Sequence, residues 1–193
     1  MFNPEEITYS FVSPQQWVSI MGRIMEIDMP FWEGTGLEGD AEHYTNMFAH
    51  PRSITYVAEH EGNIVGFVNC LPAEEITDWF RQDNESFSDY YGEIGPNSSY
   101  VHGITVVEPY QRRGIGSNLF SLALNESRHR GYDTLSGYFS HATSKSILDR
   151  FHPRVSKTCN WLGEGKPFEL GVIDLDMSHS NGVQTSEALV PYK

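Results

Sequence analysis

The apolar positions of this chain change period along its length, and the changes mark its elements. Ile7 to Val12 reads as a first strand. Ser13-Pro14-Gln15-Gln16 has the marks of a helix start, with Ser13 as N-cap, Pro14 at the first position and Gln16 closing a capping box. Trp17, Ile20, Met21, Ile24 and Ile27 then follow at helical spacing. Met29 to Asp40 contains Pro30, Gly34, Gly36 and Gly39, which predicts a loop. Ala41 to Ala49 predicts a short helix ending before Pro51. Ser53 to Glu59 and Asn63 to Leu71 predict two antiparallel strands joined at Glu61-Gly62-Asn63.

Pro72 to Asn97 is less regular, with a helix expected over Ala73 to Arg81 and then a loop rich in Asp, Ser and Tyr. The β-branched run Val101, Ile104, Thr105, Val106, Val107 predicts a buried strand that stops near Glu108, because Pro109 has no N–H for a ladder. Ile115, Leu119, Leu122 and Ala123 predict a helix, with Gly131 as its stop. Thr134 to Phe139 is expected as a strand, and Ser144 to Phe151 as a short helix stopped by Pro153. Val155 to Leu162 and Phe168 to Met177 would close the domain as a hairpin. The tail 178–193 has no sustained periodicity and is expected to be poorly ordered.

Composition narrows the class. At 193 residues, with 39% hydrophobic and 20% charged positions, one globular domain is expected. No apolar run approaches the ~20 residues of a membrane span. The start Met-Phe-Asn-Pro-Glu-Glu lacks an apolar signal core, so a cytoplasmic protein is expected. Cys70 and Cys159 have no metal spacing and read as free, buried thiols. The net charge of −13 argues against nucleic acid as a partner and is compatible with a cationic small molecule, or simply with a solubilising surface.

The chemistry lies in the turn Gln111-Arg112-Arg113-Gly114-Ile115-Gly116-Ser117. It would open a helix whose first N–H groups have no intrahelical partner, and such a terminus attracts anions, a pyrophosphate above all. Gly114 and Gly116 let the backbone approach a ligand, and Arg112 and Arg113 can add charge-assisted bonds to phosphate. A dinucleotide fold would want a third glycine where Leu119 stands.

Strand, basic glycine-rich turn, helix and next strand together resemble the GNAT superfamily of acyl-CoA-dependent N-acetyltransferases, most strongly over Tyr100 to Arg130. The resemblance implies an α/β fold: a mixed, largely antiparallel sheet of about seven strands flanked by helices, splayed at the strand preceding the turn. It implies a domain over 5–177 with an insertion at 72–97. It also implies acetyl-CoA as cosubstrate, with pyrophosphate on the amides of Arg112 to Ser117 and pantetheine along Ile104, Thr105 and Val106 like an added strand. Ser144 is expected to cap its helix and touch the pantetheine region.

The reaction so implied is acetyl transfer to the primary amine of a small cationic molecule, or to a peptide amine. His102 is the candidate base, since histidines on this strand do that work in the arylalkylamine branch of the family and the offset from His102 to Gly114 matches. A packed core histidine is the other reading. Tyr100 shares its strand face and is grouped with it. The family's usual helix tyrosine, which protonates the departing thiolate, is replaced by Leu148 or Phe151. That departure leaves a second function class open, a catalytically silent acyl-CoA sensor or scaffold. Trp32, Glu33 and Trp79, from acidic, aromatic stretches near the expected mouth that could equally be solvated loop surfaces, are substrate candidates. Tyr138 of the following strand is grouped with them, and with Ser144 and Ser146 it is also a nearby but unconvincing alternative for the missing acid. No metal site, nucleic acid or membrane partner is expected, and a homodimer is left open.

Overall fold

Seven strands form one sheet in the order β1-β2-β3-β4-β5-β7-β6, in a computed structural model that describes residues 6–33, 40–76, 93–140, 144–160 and 167–175. The strands are β1 Thr8–Phe11, β2 Ile54–His60, β3 Asn63–Pro72, β4 Ser98–Val106, β5 Thr134–Ser140, β6 Val155–Asn160 and β7 Pro167–Asp174. Every neighbouring pair is antiparallel except β4 and β5. This is the mixed, largely antiparallel sheet that the resemblance implies. The β2–β3 hairpin turns at Glu61 and Gly62, both at positive φ, as a tight two-residue hairpin requires.

The long helices are α1 Trp17–Trp32, α2 Ala41–Phe48 and α3 Ile115–His129, with a short α4 over Lys145–Arg150. Helix α3 ends as its sequence predicts. Gly131 stands at φ +80, its N–H donates to Arg128 O, and the Tyr132 N–H donates to Ser127 O. That pair of bonds is the Schellman closure. Its apolar face (Ile115, Leu119, Phe120, Ala123) packs on one side of the sheet against Val68, Val101 and Leu135. The other side holds α1 and α2, where Trp17 stacks on Phe48 at 4.1 Å between ring centroids.

Both boundaries of α1 differ from expectation. Helix α1 does not stop at Met29 but runs to Trp32 with Pro30 inside it. So late in a helix, a proline forgoes one bond only, and the Glu33 N–H still reaches Met29 O at 3.0 Å. At the other end the helix begins at Trp17 rather than beside Ser13. The Gln16 side chain does reach back to the Ser13 N–H at 3.0 Å, but across a turn preceding the helix. The expected helix from Ala73 is described only over 73–76, and 77–92, most of the supposed insertion, lies outside the described residues. The tail 178–193 and the turn around Gly163-Glu164-Gly165 lie outside them too. Among the described residues, no helix is long and apolar enough to cross a membrane.

Candidate active site

The site starts where two strands part. β4 and β5 pair only over Ser98–Val101 with Thr134–Gly137. From His102 to Val106 the β5-facing edge of β4 is therefore outside that ladder, and its backbone groups on that side can take a guest strand. The parting opens a cleft of about 380 Å³. Ile104 and Val106 line its β4 wall, the turn residues Gln111, Arg112, Gly114, Gly116 and Ser117 form its end, and Ser144 lies opposite. Eight of the predicted cofactor residues thus meet in one place.

Gly114 makes the end wall possible. It is the N-cap of α3 at φ +84, and Arg112 precedes it at φ +57. The first intrahelical bond runs from the Asn118 N–H to Gly114 O. The amides of Gly114, Ile115, Gly116 and Ser117 are consequently the four that a helix leaves without an internal carbonyl, and they carry its positive dipole end. A Cβ on Gly116 would lie 2.9 Å from Ile147 Cδ1 and 3.7 Å from Val106 Cγ2. The Gly116→Val variant should therefore fill the cleft from inside. Ile147 Cδ1, a flexible side-chain end, can yield, so the expected result is a fold kept and any melting-temperature rise with coenzyme A abolished. Undiminished stabilisation by the ligand would show that the cleft is not its seat.

Three predicted cofactor side chains point elsewhere. Ile115 is buried in the core, so only its amide is offered. The Arg113 guanidinium lies 5.9 Å from the Tyr110 ring centroid. Thr105 faces the α1 side, where its hydroxyl donates to Asp28 Oδ1 at 2.7 Å. Gln111 ties the turn to its strand, its amide donating to Val106 O at 2.8 Å. Ser144 lines the cleft but makes no capping bond with its side chain, correcting the expected cap. Sequence reasoning missed Arg150, which reaches across the cleft to Ser117 Oγ at 3.0 Å and adds a second cation to that of Arg112. Its signal was a basic residue late on a helix facing the turn.

His102 occupies an unusual backbone position. Opposite Asn69 and Cys70 of β3, β4 presents Gly103 and Val101, leaving His102 as the extra residue of a bulge. Bulges re-aim side chains, and here the ring turns toward α2. It lies 5.5 Å from the His43 ring and 6.5 Å from the Phe48 ring, between centroids. His102 Nδ1 is buried with no hydrogen-bond partner among the described residues, and so is Asn69 Oδ1 at the same bulge. Burial, with a smaller push from His43, lowers the His102 pKa to about 3. The ring is therefore neutral at physiological pH, and a rate limb near pH 6.5 cannot belong to it. Tyr100 is buried, its ring 6.5 Å from that of Tyr138.

Asp28 is the second residue the sequence did not announce. Its Oδ1 accepts from Thr105 on β4, and its Oδ2 accepts from Tyr44 on α2 at 2.7 Å and from Trp32 on α1 at 3.3 Å. Burial raises its pKa against the lowering effect of these bonds. The available signal was an acid four residues after Ile24, on the helix face that Trp17 and Ile24 bury. Trp32 thus serves this carboxylate, Glu33 is the exposed C-cap of α1, and Trp79 lies outside the described residues. Neither replacement for the helix tyrosine can give a proton. Leu148 is fully buried, and Phe151 packs on Phe120 at 4.8 Å between centroids.

A family model described as acetyltransferase (GNAT) family matches residues 21–145. No curated protein matches the chain. Among solved structures it is similar to an agmatine N-acetyltransferase, at 16% identity over 88% of this chain and 99% of that one, with a TM-score of 0.69. It is similar to the aminoglycoside 6'-N-acetyltransferase from Enterococcus faecium, at 15% identity over 88% and 97% with a TM-score of 0.63. The Arabidopsis thaliana NAA60 complex with acetyl-CoA shares 18% identity over 87% and 99% with a TM-score of 0.60. Identities this low speak for the fold.

Proposed function

This chain belongs to the acetyltransferase (GNAT) family, and from that premise we propose that it transfers an acetyl group from acetyl-CoA to the primary amine of a small, cationic molecule. The observation that carries the reading is the parting of β4 from β5 beside the four amides opening α3. Pantetheine would lie along the free edge at Ile104 to Val106, and pyrophosphate would sit on the amides from Gly114 to Ser117. Arg112 and Arg150 would add charge at that end. The acyl group would then reach the bulge, where His102 stands.

The neutral amine attacks the thioester carbonyl and forms the C–N bond, its N–H proton passes to His102, the C–S bond breaks, and the thiolate leaves with its electron pair. A thiol of pKa ~8.5 leaves readily without a dedicated acid, which suits a chain with Leu148 and Phe151 where a tyrosine would stand. The acidic balance of −13 favours a cationic acceptor, in keeping with the agmatine and aminoglycoside enzymes of the same fold.

Coenzyme A at 100 times its dissociation constant should stabilise the protein by about 2.7 kcal/mol, raising the melting temperature by roughly 5–10 °C. Thiol release from acetyl-CoA is then followed over polyamines, aminoglycosides, arylalkylamines and peptide N-termini. Release with at least one amine supports the transferase. Stabilisation by coenzyme A with no release from any of them would make the domain a silent acyl-CoA binder. A response to NAD or ATP but not to coenzyme A would end the reading.

A further inference from the structure

His102 alone is a poor place to leave a proton. It is half-buried at the bulge with its Nδ1 wholly buried, and an imidazolium there would face Phe48 and another imidazole without an anion among its described neighbours. A base that cannot keep the charge must pass it on. Its near neighbour on α2 is His43, 5.5 Å away between ring centroids, a gap that ring rotation or one bridging water spans.

His43 is suited to receive it. It is half-buried, on the first turn of α2. Its backbone N–H donates to the Asp40 carboxylate of the helix N-cap at 2.8 Å, which keeps that acid beside it, and both Asp40 and Asp28 favour the charged form of its ring. The titratable groups around it among the described residues are Asp40 and Tyr44 on α2 and its cap, Asp28 on α1 and His102 on β4. Two are carboxyl groups, and neither stands against the His102 ring in the same way.

We propose that His43 takes over the acceptor's proton from His102 and delivers it to solvent. This rests on the acetyltransferase reading above. The amine N–H bond breaks and its proton adds to one nitrogen of neutral His102, while the other nitrogen of that ring gives up its own proton toward His43. The amine's lone pair forms the C–N bond, the thiolate leaves, and the imidazolium remains on His43, favoured by Asp40 and Asp28, until it loses its proton to water. His102 is neutral before and after. Desolvation outweighs the acids and sets His43 below 6.5, so the relay is open above that range and closes as His43 becomes protonated beforehand.

The test uses whichever amine the panel identifies. His43→Gln should lower turnover by roughly 10–100-fold without changing the melting shift given by coenzyme A. The acid limb of its rate profile, below pH 6.5 in the wild type, should vanish. Imidazole added to His43→Ala should restore part of the rate, because the site is half open to water. The double variant His43→Gln/His102→Gln should be no slower than His102→Gln alone, since the two act in one path. Wild-type rate and pH profile in His43→Gln, or fully additive losses in the double variant, would overturn the relay while leaving the acetyltransferase standing. Should His43→Gln lose its response to coenzyme A, His43→Asn and the imidazole rescue of His43→Ala decide in its place: no rescue by imidazole refutes the relay.

Discussion

Replacing His102 with glutamine is expected to lower turnover by a factor of roughly 10²–10⁴ while the stabilisation by coenzyme A stays as it was. Glutamine keeps a polar side chain of similar reach but cannot exchange a proton between two nitrogens. Nothing in the cofactor cleft depends on this ring, since the cleft is built by Ile104, Val106 and the turn, so binding and turnover should separate. Burial holds the histidine neutral, so the variant should differ from the wild type by a factor nearly independent of pH between 7 and 9. Stability supplies a second readout. The folded pKa is depressed to about 3 from 6.5, so between those values the unfolded chain takes up a proton that the folded ring refuses. That difference lowers wild-type stability as pH falls from 6.5 toward 3. His102→Gln removes it and should lose less stability over the same window in urea titrations. Unchanged turnover in the variant would make His102 a packing residue.

Removing the Asp28 carboxylate is the change expected to cost most in stability. Asp28→Ala would remove the acceptor that Thr105, Tyr44 and Trp32 share, three buried or half-buried donors at once. Breaking a buried polar cluster by deleting its centre costs about 3–5 kcal/mol. At this chain length that lowers the melting temperature by roughly 6–20 °C. Thr105→Val deletes one donor only and should cost about 1 kcal/mol. The pH dependence has a definite sign. Burial, the largest influence, raises the folded pKa above 3.8, so this group favours the fold most at acid pH and less as pH rises through the folded value. The gap between wild type and Asp28→Ala should therefore narrow from pH 4 to pH 8. A variant within about 0.5 kcal/mol of wild type at every pH would show that α1, α2 and β4 are held together without this carboxylate.

Asp28 also matters for the geometry proposed for transfer. It ties α1 and α2 to the strand that bears both the free edge and the bulge. Thr105 was expected to serve the cofactor through its main chain, and that edge remains available for it, but its hydroxyl is engaged on the opposite face. One residue thus faces two ways: its backbone toward the cleft, its side chain toward α1. Loss of Asp28 should therefore weaken turnover beyond its effect on folding, because His43 also loses a neighbouring acid.

What the sequence determined by itself is the run from Val101 to Arg130. Its strand ends at Val106 because Pro109 cannot extend the ladder, its turn needs Gly114 at positive φ, and its helix closes at Gly131. Each of these follows from interactions a few residues apart, which pattern and residue type encode directly. The family and the location of the cleft were legible for the same reason. The tertiary structure alone decided the rest. Whether His102 is a ladder residue or the odd one of a bulge depends on how β4 registers against Asn69 and Cys70, some thirty residues away in the chain. His43 meets His102 only because α2 packs over that bulge. Asp28 looks like one acid among many until α1 is laid on β4, where loss of water and three donors give it its character. Burial and long-range register are sums over the whole packed molecule, and no local spacing carries them.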